Sequence, residues 1–173
     1  MTHRIVVRAA EVQDVDAIEL LLAPYAEKHV VLWRSKDDLF QHLQEFIVAV
    51  YDGVVMGVAA LHIYTLNMAE VRSLVVNPEY QGRQVGRLLV EACELLAVQR
   101  GIAQLFALTY VAQFFIAMDY HVVPKESLPH KIWTVCVHCK KFGACDEIAV
   151  VKRLSDEPIA PMELTTILSI EKA

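Results

Sequence analysis

No apolar run in the sequence approaches the roughly 18 residues that a membrane-spanning helix requires, so a membrane partner is not expected. The opening Met1-Thr-His-Arg-Ile5 lacks the basic start, apolar core and cleavage site of an export signal, and a cytoplasmic location is expected. Internal repeats and low-complexity tracts are absent. Positive charge is in deficit: 16 Lys and Arg against 21 Asp and Glu give a formal charge of −5. That disfavours nonspecific nucleic-acid binding by the whole surface, while leaving room for a local basic cleft. Cysteine is sparse as well. The four present, in a chain without an export signal, are expected to be thiols or metal ligands rather than disulfides. What remains is one domain's worth of chain: 173 residues, 55% hydrophobic and 21% charged, too apolar for disorder and long enough for a single core.

Patterning along the chain gives the element order. Ile5–Arg8 reads as a short strand, and Asp14 can cap a helix carrying Val15, Ile18, Leu21, Leu22 and Tyr25 on one face, with Pro24 kinking or ending it. Ser35 followed by Asp38 resembles a capping box ahead of Leu39, Phe40, Leu43 and Phe46. Asp52-Gly53 between the apolar runs 46–51 and 54–64 is a two-residue hairpin signal. Glu70–Val76 is the next strand; alternation puts Glu70 and Arg72 on one face and Val71, Ser73 and Val75 on the other. A helix then runs to about Arg100, burying Val85, Leu88, Leu89, Ala92, Leu95 and Leu96, and Gly101 ends it. Gln104–Thr109 is a buried strand, followed by a short helix around Gln113–Met118. Tyr120–Val123 and Glu147–Leu154 close the sheet across a connection long enough to suggest function. Asp156–Pro161 resembles a linker and Met162–Lys172 an extra helix.

The stretch Val75-Val-Asn-Pro-Glu-Tyr-Gln-Gly-Arg-Gln-Val-Gly-Arg-Leu-Leu89 joins a buried strand to an amphipathic helix through a loop rich in backbone N–H groups. A helix N-terminus carries unpaired amides and partial positive charge, so it can hold a pyrophosphate. The same run fits an ordinary strand-to-helix turn. It resembles the acyl-CoA-binding loop of the GNAT superfamily of N-acetyltransferases, whose pattern is Gln/Arg-x-x-Gly-x-Gly/Ala. Gln81 and Gly86 match, whereas Gln84 stands where the middle glycine is usual, which is acceptable if the backbone there is helical. The resemblance implies an α/β chain with a central, mostly antiparallel sheet flanked by helices over residues 1–154, and a C-terminal extension at 155–173. It also implies acetyl-CoA as cosubstrate, held by Ser73, Leu74, Val75 and Val76 along its pantetheine arm and by Gln81, Gly82, Arg83, Gln84, Val85, Gly86 and Arg87 at its phosphates. Relatives of this kind often dimerise, so a homodimer is compatible with it.

Acetyl transfer to an amine needs a proton acceptor, a polarised thioester carbonyl and a stabilised departing sulfur. Glu70 can take the ammonium proton, directly or through water; the plainer alternative is an exposed ion pair with Arg72. The segments Ala69-Glu-Val-Arg-Ser-Leu-Val-Val-Asn-Pro78, Leu105-Phe-Ala-Leu-Thr109 and Phe114-Phe115 resemble the acetyltransferase domain of N-acetylglutamate synthases. That resemblance makes Glu70 the candidate base and puts Thr109 near the CoA sulfur, against the alternative of a buried hydroxyl serving the local backbone. Many GNAT enzymes carry a tyrosine acid on the following helix; Phe115 stands there, and the synthase domains also lack the tyrosine. Arg34, Arg72 and Lys131 are the cations for substrate carboxylates, although each of Arg34 and Lys131 alone also reads as a solvated charge. An amino acid, with L-glutamate first, is the implied substrate. The alternatives are another small amine, a peptide N-terminus, or a noncatalytic acyl-CoA- or metal-binding regulatory module.

Cys136-Val-His-Cys139 has the spacing of two zinc ligands, and Cys145, with His138 or His130, can complete a tetrahedral set. A second Cys-x-x-Cys is lacking, so zinc shares the field with a substrate lid of reduced thiols and with a redox switch. The segment at about 124–146, with Lys131 beside Trp133 and a Cys-Asp-Glu end, resembles an insert of short stand-alone N-acetylglutamate synthase-like proteins. Cys93 reads as a small buried hydrophobe on the core helix.

Overall fold

The computed structural model describes residues 4–129 and 145–156. Its strands are β1 (Val6–Ala9), β2 (Phe46–Tyr51), β3 (Val54–Ile63), β4 (Met68–Val76), β5 (Gln104–Thr109), β6 (His121–Val123) and β7 (Ile148–Arg153). The helices are α1 (Val15–Glu27), α2 (Lys36–Gln41), α3 (Val85–Gln99) and α4 (Ala112–Ile116). The strands form one sheet in the order β1-β2-β3-β4-β5-β7-β6, antiparallel throughout except between β4 and β5. Asp52 and Gly53 turn β2 into β3 with φ of 49° and 76°, the left-handed pair that a two-residue hairpin of matching twist demands. Gly101, at φ 78°, stops α3 as its position suggested.

Two apolar layers cover the two faces of the sheet. On one, α3 buries Val85, Leu89, Val90 and Cys93, and α4 buries Ala112 and Phe115, in one cluster with Ile47, Ala59, Leu61 and Val71. On the other, α1 and α2 bury Val15, Ile18, Leu22 and Leu39 against Phe46, Val48, Val58 and Ala60. A smaller cluster of Phe106, Leu128, Ala149 and Val151 covers that second face farther along. The buried stripe of α3 is rotated from its expected position: Val90, Cys93 and Ala97 are inside, Leu88, Ala92 and Leu96 are half-buried, and Leu95 is 67% exposed. Gly57 sets the approach of α3, since a Cβ there would lie 3.0 Å from Leu89 Cδ1 and 3.1 Å from Val85 Cγ1.

Three local expectations are corrected. α1 does not end at Pro24 but continues through it; Pro24 lies with Leu20, four residues earlier, on the solvent side, so a carbonyl without its helical donor can face water. Asp14 does not cap α1; its carboxylate accepts from Glu11 N–H at 2.7 Å and from both Arg8 nitrogens at 2.6 and 3.0 Å. The third concerns β4. Ser73 has a φ of 53°, and Ala59 on β3 faces both Ser73 and Leu74, forming a bulge. One inserted residue reverses every later side chain. Val75 therefore joins Val58 and Ala60 on the face of Glu70 and Arg72, while Leu74 and Val76 turn to α3.

Candidate active site at the fork between β4 and β5

β4 and β5 pair at Met68–Gln104, Ala69–Leu105 and Glu70–Phe106 only. Past Glu70, β4 bends at the Ser73 bulge and leads to α3, while β5 stays with β7 as far as Thr109. The sheet thus opens into a fork whose two inner edges hold backbone N–H and C=O groups not paired across it.

At the end of β4 the loop reaches the N-terminus of α3. The first helical bond runs from Leu88 N–H to Gln84 C=O at 3.0 Å, and no described side chain caps the helix. Its first turn holds no acidic residue, so the amides of Val85, Gly86 and Arg87 and the positive end of the helix dipole are unguarded. Gln84 is left-handed, at φ 64° and ψ 11°, not helical, and it follows Gly82 at φ 76°. The missing middle glycine therefore falls at a position that favours glycine, and Gln84 adopts the conformation at some strain. Gly86 differs: a Cβ there would meet Phe114 at 3.4 Å and Val76 at 3.7 Å, ordinary contacts. The fold tolerates a side chain at Gly86, which makes close approach from outside the better reason for its absence. Gln81 donates to Val76 C=O at 3.2 Å, Arg83 stacks over the Tyr80 ring at 5.6 Å, and Arg87 pairs with Glu91 at 2.9 Å.

Glu70 is 8% exposed, not at a solvated strand end, and the alternative of an exposed ion pair with Arg72 is not formed. Tyr64 donates its hydroxyl to Glu70 Oε2 at 2.9 Å. Burial pushes the Glu70 carboxyl above its ordinary range, with the charge of Glu147 adding to this; Arg72, the Tyr64 hydrogen bond and His62 work against it. Arg72 turns instead to Glu45, donating at 3.2 Å, and its guanidinium lies 3.0 Å from His62 Nδ1. His62 Nδ1 also lies 3.0 Å from Glu45 Oε1. For Glu45, burial opposes ionisation, but the His62 hydrogen bond and the charges of His62 and Arg72 outweigh it and hold the carboxyl below its usual range. The result is a polar seam between the two apolar clusters of that face. Among the described residues, the buried Arg72 Nε has no hydrogen-bond partner.

The remaining candidates divide. Thr109 is buried, and its Oγ1 accepts from Val111 N–H at 2.9 Å, the local role weighed against catalysis, yet its own proton stays available for donation. Arg34 is half-buried with its side chain only 7% exposed, donating to Asp38 at 2.8 Å and lying 5.6 Å over the Phe46 ring, so it is not a solvated charge. Ser35 Oγ accepts from Asp38 N–H at 3.1 Å as expected, while the Asp38 carboxylate serves Arg34 and His42 instead of closing the box. A cleft of about 240 Å³ between α1 and Trp33-Arg34 touches only Arg34 among the candidates. Phe115 is a core residue set edge-on between Phe114 and Tyr120. Lys131, Cys136 and Cys139 lie outside the described residues, as do most of the 124–146 insert and of the 155–173 extension. Cys145 bonds Glu147 at 3.5 Å, and no three His, Cys, Asp or Glu among the described residues are grouped to hold a metal, so zinc finds no support there. Burial pushes the Cys93 thiol up to about 12, which leaves it inert at neutral pH.

Sequence reasoning missed Tyr64, His62 and Glu45. The available signal was His62, a polar residue in a strand otherwise rich in Val, Ala and Leu, whose hairpin register sets it opposite Glu70.

The chain is similar to known proteins over most of its length. The model of the acetyltransferase (GNAT) family matches residues 12–121. An uncharacterized N-acetyltransferase of Chlorobaculum tepidum is 42% identical over 148 residues, 86% of this chain and 96% of that protein. The amino-acid acetyltransferase of Pasteurella multocida is 31% identical over 133 residues, 76% of this chain but only 30% of that longer protein. The structure of N-acetylglutamate synthase from Neisseria gonorrhoeae with coenzyme A and N-acetyl-glutamate superposes with a TM-score of 0.81 at 25% identity, covering 90% of this chain and 36% of that one.

Proposed function

Because the chain belongs to the acetyltransferase (GNAT) family and is an N-acetyltransferase of that type, we propose that it acetylates the α-amine of an amino acid from acetyl-CoA, with L-glutamate as the preferred acceptor. The observation that carries this reading is the fork beyond Glu70 leading to the unguarded N-terminus of α3. Support for the amino acid comes from the names of the Pasteurella and Neisseria relatives, of whose length this chain spans about a third. The catalytic unit is residues 1–154.

Acetyl-CoA supplies an activated acyl group. The amides of Gly82, Arg83, Gln84, Val85, Gly86 and Arg87 hold its pyrophosphate, with Gln81 bracing the loop through Val76 C=O. The backbone of Ser73, Leu74, Val75 and Val76, turned at the bulge, takes the pantetheine arm, and donors near Leu74 face the developing oxyanion. Glu70 takes the ammonium proton through the oxygen that Tyr64 leaves open. Thr109 points its hydroxyl as a hydrogen-bond donor at the departing thiolate from the other side of the fork, and the thiolate takes its proton from solvent.

Arg34, Arg72 and Lys131 orient the acceptor's carboxylates. Arg34 and Arg72 already face Asp38 and Glu45, which favours a second reading in which a single carboxylate is gripped through Arg72 Nε and the acceptor is a monocarboxylic amino acid. Thiol release from acetyl-CoA across a panel of glutamate, neutral amino acids, polyamines and a peptide N-terminus separates these readings. Fastest release with glutamate supports the first, and no release above background with any amino acid removes both.

A further inference from the structure

We propose that Tyr64 and Glu45 are positioning residues of the proton-accepting site: Tyr64 fixes the Glu70 carboxylate through its hydroxyl, and Glu45 holds the Arg72 guanidinium and the His62 ring beside it. The proposal rests on the reading of Glu70 as the base. Tyr64 lies just past β3, with its ring edge-on to His62 at 4.7 Å and tilted on Phe106 at 5.6 Å. Phe106 is the β5 residue registered opposite Glu70, and His62 is its β3 opposite, so the ring is gripped by both strands that flank the carboxylate. That grip aims the hydroxyl at Glu70 Oε2, 2.9 Å away, and leaves Oε1 for a water or an amine.

The groups facing Glu70 come from every neighbouring element. Arg72 lies on its own strand, His62 and Tyr64 on and after β3, and Glu147 just before β7; β5 contributes the uncharged Phe106. Arg72 and His62 would draw the Glu70 charge strongly if they stood alone. Glu45 opposes them at 3.2 and 3.0 Å, so the carboxylate is stabilised without being locked into an ion pair. A base clamped in a tight ion pair is a poor proton acceptor, whereas one held by a phenol, with the neighbouring cation already paired elsewhere, keeps its affinity for a proton.

Removing the two groups should act in opposite directions. Tyr64→Phe keeps the ring contacts and removes the hydroxyl donor to Glu70, and should move the acid limb of the kcat/KM profile up by roughly 1 pH unit. Glu45→Gln removes the negative charge that offsets Arg72 and should move the same limb down. The profile is read with the full-length protein, saturating acetyl-CoA and glutamate as acceptor, with CoA binding measured calorimetrically to confirm that each variant is folded. Glu70→Gln is run beside them: if it retains the acid limb, the base assignment itself fails and the proposal with it. If Glu70→Gln abolishes the limb and the other two shift it in opposite directions, the proposal stands. Any other pattern, with the limb still dependent on Glu70, overturns the positioning roles alone.

Discussion

Adding one methyl group at Gly57 should loosen α3 from the sheet and weaken the cofactor loop with it. Gly57 sits in β3 outside the left-handed region, so alanine meets no backbone barrier there. Its Cβ would lie 3.0 Å from Leu89 Cδ1, 3.1 Å from Val85 Cγ1 and 3.3 Å from Val75 C=O. The first two atoms belong to side chains with 0% and 1% exposure, and the third is backbone of the bulged strand, so none has free space to retreat into. Overpacking of this kind costs about 1–3 kcal/mol, and replacing glycine by alanine returns roughly 0.4–1 kcal/mol through the unfolded chain. The balance runs from about 0 to 2.6 kcal/mol and centres on a loss of about 1.3 kcal/mol, a fall in Tm of roughly 3–5 °C for a domain of this size. Urea denaturation gives the free energy, and calorimetric titration with CoA gives the second effect, because Val85 is the first residue of α3 and is pushed directly. A Gly57→Ala protein as stable as the parent would refute the description of how α3 is seated.

Three further outcomes follow from the same contacts. Gln84→Val, which forces a β-branched residue to hold a φ of 64°, should lose about 1–2 kcal/mol in urea denaturation, while Gln84→Gly should not. Glu70→Gln should be more stable than the parent at pH 8. Because burial raises the folded carboxyl above its ordinary range, the parent loses stability as pH rises through that value, and thermal melts at pH 4 should show the advantage gone. Asp14→Asn should have the opposite dependence. The Arg8 hydrogen bond holds Asp14 low against the effect of burial, so its contribution is present at pH 7 and disappears as pH falls below about 4 through the depressed value.

Much of this architecture was legible because it rests on local chemistry. Asp52-Gly53 specifies its own turn, Gly101 its own helix stop, and the Gln104–Thr109 run a strand buried along most of its length. The fork was not legible. It depends on a bulge at Ser73, and serine carries no signature of positive φ, so strict alternation assigned Val75 to the wrong face. The left-handed state of Gln84 was hidden for the same reason. Candidate chemistry was readable as residue types, Glu70 and Thr109 among them, but their partners were not. Tyr64 meets Glu70 through the β3–β4 turn, and Glu45 reaches Arg72 across β3, contacts that only the sheet register brings about. Pro24 shows the converse: a strong local breaker is overridden where the surrounding surface is solvent.

The account depends on Glu70 accepting a proton from an amine delivered to the fork. The most direct measurement is the rate of thiol release from saturating acetyl-CoA with glutamate, for the parent and Glu70→Gln proteins, with CoA affinity determined for both. The account predicts turnover lower by roughly 10²-fold in the variant with CoA affinity unchanged. Equal turnover in the two proteins would contradict it.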